Sequence, residues 1–150
     1  MRDLKTTGWV NNLRNMLARR EENMRKPKPD LNDIFSHLRE KLKKYSPPLQ
    51  TRFDDEGRFE LWSVKELVIE GRKRRDVFFA SLIIQKGYVG FYFMPVYIED
   101  DKKRLFDPAL LKLLKGKSCF HIRQLDEGLL QQVESALVVG FQLYQERGWV

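Results

Sequence analysis

The sequence holds one cysteine, Cys119, and two histidines in 150 residues. A single thiol cannot close an internal disulfide, so stability has to come from a packed core and not from covalent staples. So few cysteines and histidines also argue against a zinc site built on them. Long apolar runs are missing as well. The longest, "VFFASLII" from Val77, falls far short of the ~20 residues that a membrane-spanning helix needs. The segment "MRDLKTTGWVNNLRNML" has polar residues where a secretory signal places its apolar stretch, which leads us to expect a cytoplasmic protein with no membrane anchor. Glycine-rich phosphate loops, nucleophile elbows and paired-histidine metalloprotease motifs are absent.

What is present is an ordinary globular composition, 42% hydrophobic and 33% charged, too apolar for a disordered chain. At this length one domain buries roughly 68–70% of its unfolded surface. The formal charge of +7 favours anionic partners, although net charge bears first on solubility and non-specific association. The positive residues gather in "RKPK", "REKLKK", "GRKRRD" and "DKKR".

Apolar spacing predicts the elements. Trp9, Leu13, Met16, Leu17 and Arg20 stand three or four apart and predict an amphipathic helix whose stripe needs a partner. "RKPKPD" breaks it, since two close prolines remove backbone donors, so residues 1–29 read as a helical extension and linker, and 30–150 as the folded domain. Asp30 is a suitable N-cap for a helix over 31–45 carrying Leu31, Ile34, Phe35, Leu38, Leu42 and Tyr45. "RFELWSVKELVIE", "DVFFASLIIQ" and "YVGFYFMPVYI" read as three strands with "GRKRR" and Lys86–Gly87 as connections, a meander of antiparallel hairpins. Asp107–Pro108 opens a helix that Gly116 closes, "SCFHIRQ" is a short fourth strand, and Asp126 caps a last helix ending near Gly148. The expected fold class is α+β: an antiparallel sheet of about four strands with helices packed on one face.

Side chains alternate across a strand. Val89, Phe91 and Phe93 therefore share a core face with Phe78, Ala80, Leu82 and Ile84, and with Phe120 and Ile122. The reverse face then carries Tyr88, Tyr92, Ser81, Gln85, Cys119, His121 and Arg123, a semi-polar aromatic surface. Either the N-terminal helix or a second copy of the chain covers it, or it is open and receives a flat or anionic ligand. Arg72, Lys73, Arg74 and Arg75 form the candidate anion-binding run. "KGYVGFYF" overlaps the RNA-recognition pattern only at its ends, with Val89 and Gly90 where a small residue and a stacking ring belong. Cys119 and His121 point the same way and could pair as thiol and base, but no orienting acid is identifiable. Glu99, Asp100 and Asp101 are hard oxygen donors and the candidate metal ligands.

The run "YVGFYFMPVYIEDD", the helix after it, and "LKGKSCFHIRQLDEGLLQQVESAL" resemble the YdhG-like family of small bacterial proteins, a domain family of unknown function. The resemblance spans about residues 30–147. It implies a frataxin-like α+β fold, and one relative described as a frataxin-like iron chaperone would make iron the bound species. Frataxins bind iron through an acidic first helix, whereas "DLNDIFSHLREKLKKY" is net basic, with Asp30, Asp33 and Glu40 its only acids. The expected function is a non-enzymatic binding module for a small ligand, a metal or a protein, as monomer or homodimer. The alternative is a basic accessory protein that binds nucleic acid.

Overall fold

A computed structural model of the chain describes residues 4–25 and 29–150. The elements in chain order are α1 (Leu4–Arg25), α2 (Leu31–Lys43), β1 (Gln50–Arg52), β2 (Arg58–Ser63), β3 (Leu67–Ile69), β4 (Arg72–Arg74), β5 (Val77–Gln85), β6 (Tyr88–Phe93), α3 (Met94–Ile98), α4 (Lys102–Leu105), α5 (Pro108–Leu111), β7 (Leu114–Lys115), β8 (Cys119–Ile122) and α6 (Glu127–Glu146). Six strands form one sheet in the order β1-β2-β5-β6-β8-β7, and β3 and β4 form a separate ribbon. Among the described residues every strand pairing is antiparallel. The α+β class with an antiparallel sheet is as expected, but the expected count of about four strands was too low.

The caps were well marked in the sequence. The Asp30 carboxylate accepts from the backbone N–H groups of Asn32 and Asp33, and Asp126 accepts from Leu129 N–H, each satisfying donors that a helix start leaves open. α2 buries Ile34, Phe35, Leu38 and Leu42. α6 buries Val133, Ala136, Leu137, Gly140 and Tyr144. α6 and the turn after α2 meet the sheet at Phe79, whose ring lies 6.3 Å from Tyr45, 6.4 Å from Phe141 and 5.0 Å from Tyr144. Burying each such ring contributes about 1.5–3 kcal/mol.

Several elements differ from expectation, each for a local reason. The strand expected to run through Ile98 ends at Phe93, because Pro95 lacks an N–H for the ladder and suits the first turn of α3. "RFELWSVKELVIE" divides into β2 and β3, and the supposed loop "GRKRR" is strand β4 pairing with β3. The helix after Asp107 lasts only through Leu111, and Leu114–Lys115 pairs with β8 instead. Strand β1 follows cis peptide bonds at Ser46–Pro47 and Pro47–Pro48. α1 begins before the expected helix and ends where "RKPKPD" was expected to break it, and every residue from Gly8 to Glu22 is exposed, Trp9 at 67% and Met16 at 68%. The middle of the expected linker, residues 26–28, lies outside the described residues.

One correction affects the sheet faces. Leu61 pairs with Ala80 but Trp62 pairs with Phe78, so Phe79 is an extra residue opposite the step between them. This β-bulge breaks the strict alternation. Phe79 and Ala80 both reach the helix side, fully buried, while Phe78 turns to the opposite face and meets Trp62 edge-on at 5.3 Å. Strict alternation had assigned Phe78 to the core and Phe79 to the reverse face. Phe78's backbone carbonyl accepts a hydrogen bond from the Tyr144 hydroxyl on α6, so the bulge joins the sheet to the helix layer.

Candidate functional site on the open sheet face

With α2 and α6 on one side, the other side of the main sheet presents the set the sequence placed there. Ser81 pairs with Tyr92, which in turn pairs with Cys119. Gln85 pairs with Tyr88, and Gly90 with His121. Ser81 is buried beneath its neighbours, Arg123 is exposed, and the other predicted members are half-buried. All seven therefore share one surface. The uniformly exposed residues of α1 from Gly8 to Glu22 do not cover it.

Tyr88 and His121 stack with ring centroids 3.9 Å apart and planes 14° from parallel, and the Arg123 guanidinium stands 5.6 Å from the Tyr88 ring. Gly90 explains how Tyr92 fits. A Cβ there would sit 3.0 Å from the Tyr92 ring and 3.6 Å from the Cys119 sulfur, so the missing side chain leaves the space that the Tyr92 ring occupies. Burial is the main influence on both neighbours. It pushes the Cys119 thiol above its ordinary pKa, with the Tyr92 hydrogen bond opposing, and it raises the Tyr92 phenol. A thiol so shifted is protonated at neutral pH and is a poor nucleophile. The His121 imidazole is stacked on Tyr88.

Toward β1 and β2 the face carries residues that the sequence reading did not include. The Glu60 carboxylate, only 6% exposed, accepts hydrogen bonds from Arg58 Nε at 2.9 Å, Arg58 Nη2 at 2.6 Å and Trp62 Nε1 at 2.9 Å. The i, i+2 spacing of Arg58, Glu60 and Trp62 puts all three on one side of β2. It was visible in "RFELW", and the expected meander put that strand beside β5, but its faces were left unassigned. Arg52 lies 4.8 Å from the Trp62 ring centroid and pairs with Asp76 at 3.1 Å. Each carboxylate here already has an arginine. The surplus charge is positive, with Arg123, Lys115 and the exposed run Arg72 to Arg75 around the rim.

At one end of this face the sheet, the β3–β4 ribbon, α3 and the C-terminal segment line an open cleft of about 810 Å³. Its floor is Trp62 and Phe78, and Tyr97 and Trp149 stand in its walls. The bulge brings Phe78 there, so strict alternation could not have located it.

The predicted metal ligands do not assemble. Asp101 pairs with Arg104 at 3.2 Å, and Glu99 accepts from the Asp101 backbone N–H at 3.1 Å. Among the described residues no three histidine, cysteine, aspartate or glutamate side chains come close enough to hold a metal ion. The iron binding implied by the resemblance draws no support from this donor set. Among the same residues no helix is long and apolar enough to cross a membrane. Comparison with models of protein families, with curated proteins and with solved structures yields no match to this chain.

Proposed function

We propose that this chain is a non-catalytic binding module of the YdhG-like type, built on a frataxin-like α+β core, that receives its ligand on the open face of its sheet. The observation that carries this reading is the contrast between the layers. Two helices seal one side of the sheet, and the other presents half-buried aromatic rings, Trp62 fixed by a hydrogen bond and Tyr88 by stacking, bordered by exposed positive charge. Exposed aromatic surface of this kind marks a binding site more often than a bare surface. The YdhG-like and frataxin-like parts of the reading rest on the ordered sequence segments and on α2 and α6 sharing one face of an antiparallel sheet. The raised thiol of Cys119 and the stacked His121 favour binding over nucleophilic catalysis.

The test is NMR titration of the labelled full chain with a library of small aromatic and anionic fragments. Ring protons of Tyr88, Tyr92 and Trp62 should shift in a saturable way. Shifts confined to α2 and α6 would refute the reading.

The exposed ribbon favours a second reading, nucleic-acid binding through Arg72, Lys73, Arg74 and Arg75. Its signature is a salt dependence with a log-log slope of about −0.9 per phosphate on duplex DNA. Alanine at those four positions should flatten the slope, and an unchanged slope removes them from the interface.

A further inference from the structure

The cleft at the Trp62 end of the open face is concave, open to solvent and mostly apolar in its lining. The polar remainder is Glu70, Arg74, Asp76 and Arg147. A volume of about 810 Å³ lies within the roughly 300–1,000 Å³ of small-molecule sites, as does a mostly apolar lining with a few polar groups.

Its walls are set in advance by bonds to the core. The Trp62 indole N–H donates to Glu60 at 2.9 Å, which fixes the floor ring. The Phe78 carbonyl is held by the Tyr144 hydroxyl. Trp149, one residue from the end of the sequence, is tied at both backbone groups: its N–H donates to the Tyr144 carbonyl at 2.8 Å, and its carbonyl accepts from the Ser63 hydroxyl. Tyr144 also meets the Trp149 ring edge-on at 5.1 Å. Rings fixed before binding lose little conformational freedom when a ligand arrives.

The charges favour an anion. Asp76 is neutralised by Arg52 at 3.1 Å, leaving Arg74 and Arg147 against Glu70. Arg74 projects from the ribbon and Arg147 from the end of α6, beside Trp149 at 5.1 Å. Cations beside flat rings suit a ligand that is itself flat and carries negative charge, because the rings take its face or edge and the guanidinium its anionic group.

We propose that this cleft is a binding site for a small flat aromatic anion, an aryl carboxylate or an aromatic phosphate ester such as a nucleoside monophosphate. The proposal rests on reading the open face as the binding surface, and narrows it to one end. Trp62 and Trp149 report from inside the cleft, and Trp9→Phe removes the only other tryptophan. Naphthoate and adenosine monophosphate, with naphthalenemethanol and adenosine as neutral counterparts, are titrated into the Trp9→Phe full chain by tryptophan fluorescence and NMR. At least one anion should bind saturably and about tenfold or more tighter than its neutral counterpart, and whichever does identifies the carboxylate or the phosphate arm. Arg74→Met, on an exposed ribbon where folding is not at stake, should weaken that anion by about ten- to a hundredfold, the range for losing a charged hydrogen bond. Equal affinity for the neutral counterpart, or no effect of Arg74→Met, overturns the proposal. Anion-induced shifts at Tyr88 and His121 without any at Trp62 or Trp149 overturn it too but leave the open face as the binding surface. Saturable shifts from neither anion anywhere on that face overturn the cleft, and the same blank from the fragment library ends both.

Discussion

The two sides of the main sheet are made from the same strands and obey different chemistry. On the helix side Phe91 stacks with Phe93 at 5.1 Å and with Phe120 at 5.7 Å, and all three are fully buried. On the open side the stack is Tyr88 on His121, the buried carboxylate is Glu60 with its arginine, and water reaches most of the rings. The first side is held by exclusion of solvent and close packing. The second is held by directional contacts, which orient side chains without requiring burial. One side can therefore provide stability while the other remains available for recognition.

That contrast can be broken most severely at Phe93. Phe93→Ala should lower unfolding free energy by about 3–5 kcal/mol in urea titration, the cost of an emptied aromatic site in a core. A loss under about 1 kcal/mol would mean that the helix side is not the stabilising one. Gly140→Ala comes next. The new methyl carbon would lie 2.7 Å from the Pro95 ring as well as against Phe93, and a proline ring cannot swing aside. We expect about 1–3 kcal/mol of destabilisation, although alanine in an exposed helix would gain about 1 kcal/mol over glycine.

Tyr144 sharpens the contrast through pH. Burial raises its phenol pKa above the ordinary 10.0, and nearby Arg147 only partly opposes this. Below pH 10 both the folded and unfolded chains keep the proton. Above it the unfolded chain releases its proton first, so stability falls as pH rises, by about 1.4 kcal/mol per pH unit for one group. Tyr45 and Tyr92 shift the same way. Tyr144→Phe should cost about 1 kcal/mol at pH 7 through the lost hydrogen bond and make the alkaline decline shallower. An unaltered alkaline slope would show that the phenol titrates alike in both states. The smallest effect belongs to the open side. Tyr88→Ala should cost under about 1 kcal/mol, in the range of one cross-strand pair, and a loss near that of Phe93→Ala would erase the distinction.

The sequence made parts of this plain and hid others. Asp30 and Asp126 marked their helices because an N-cap is a local signal, read from a few adjacent residues. Val89, Phe91 and Phe93 marked the core side of β6 because that strand runs regularly against both neighbours. The seven residues of the open face were gathered correctly for the same reason. Phe78 and Phe79 were exchanged because a bulge is a property of two strands together, and β5 alone carries no sign of it. β4 was hidden for a different reason. Its arginines and lysine look like a loop until β3 is seen beside them, and strand identity there comes from pairing and not from composition. Trp62 and Trp149 could not be associated, since the Ser63 bond that brings their segments together spans 86 residues.

The added residue at Phe79 makes residue count itself a variable in β5. A chain lacking that single phenylalanine could run a straighter ladder against β2, with every later partner kept. It would then have no ring at the point where Tyr45, Phe141 and Tyr144 converge, while Phe78 would stay opposite Trp62 on the cleft floor. One deleted codon would thus loosen the helix layer and leave the aromatic base of the cleft in place, with no charge on the surface altered.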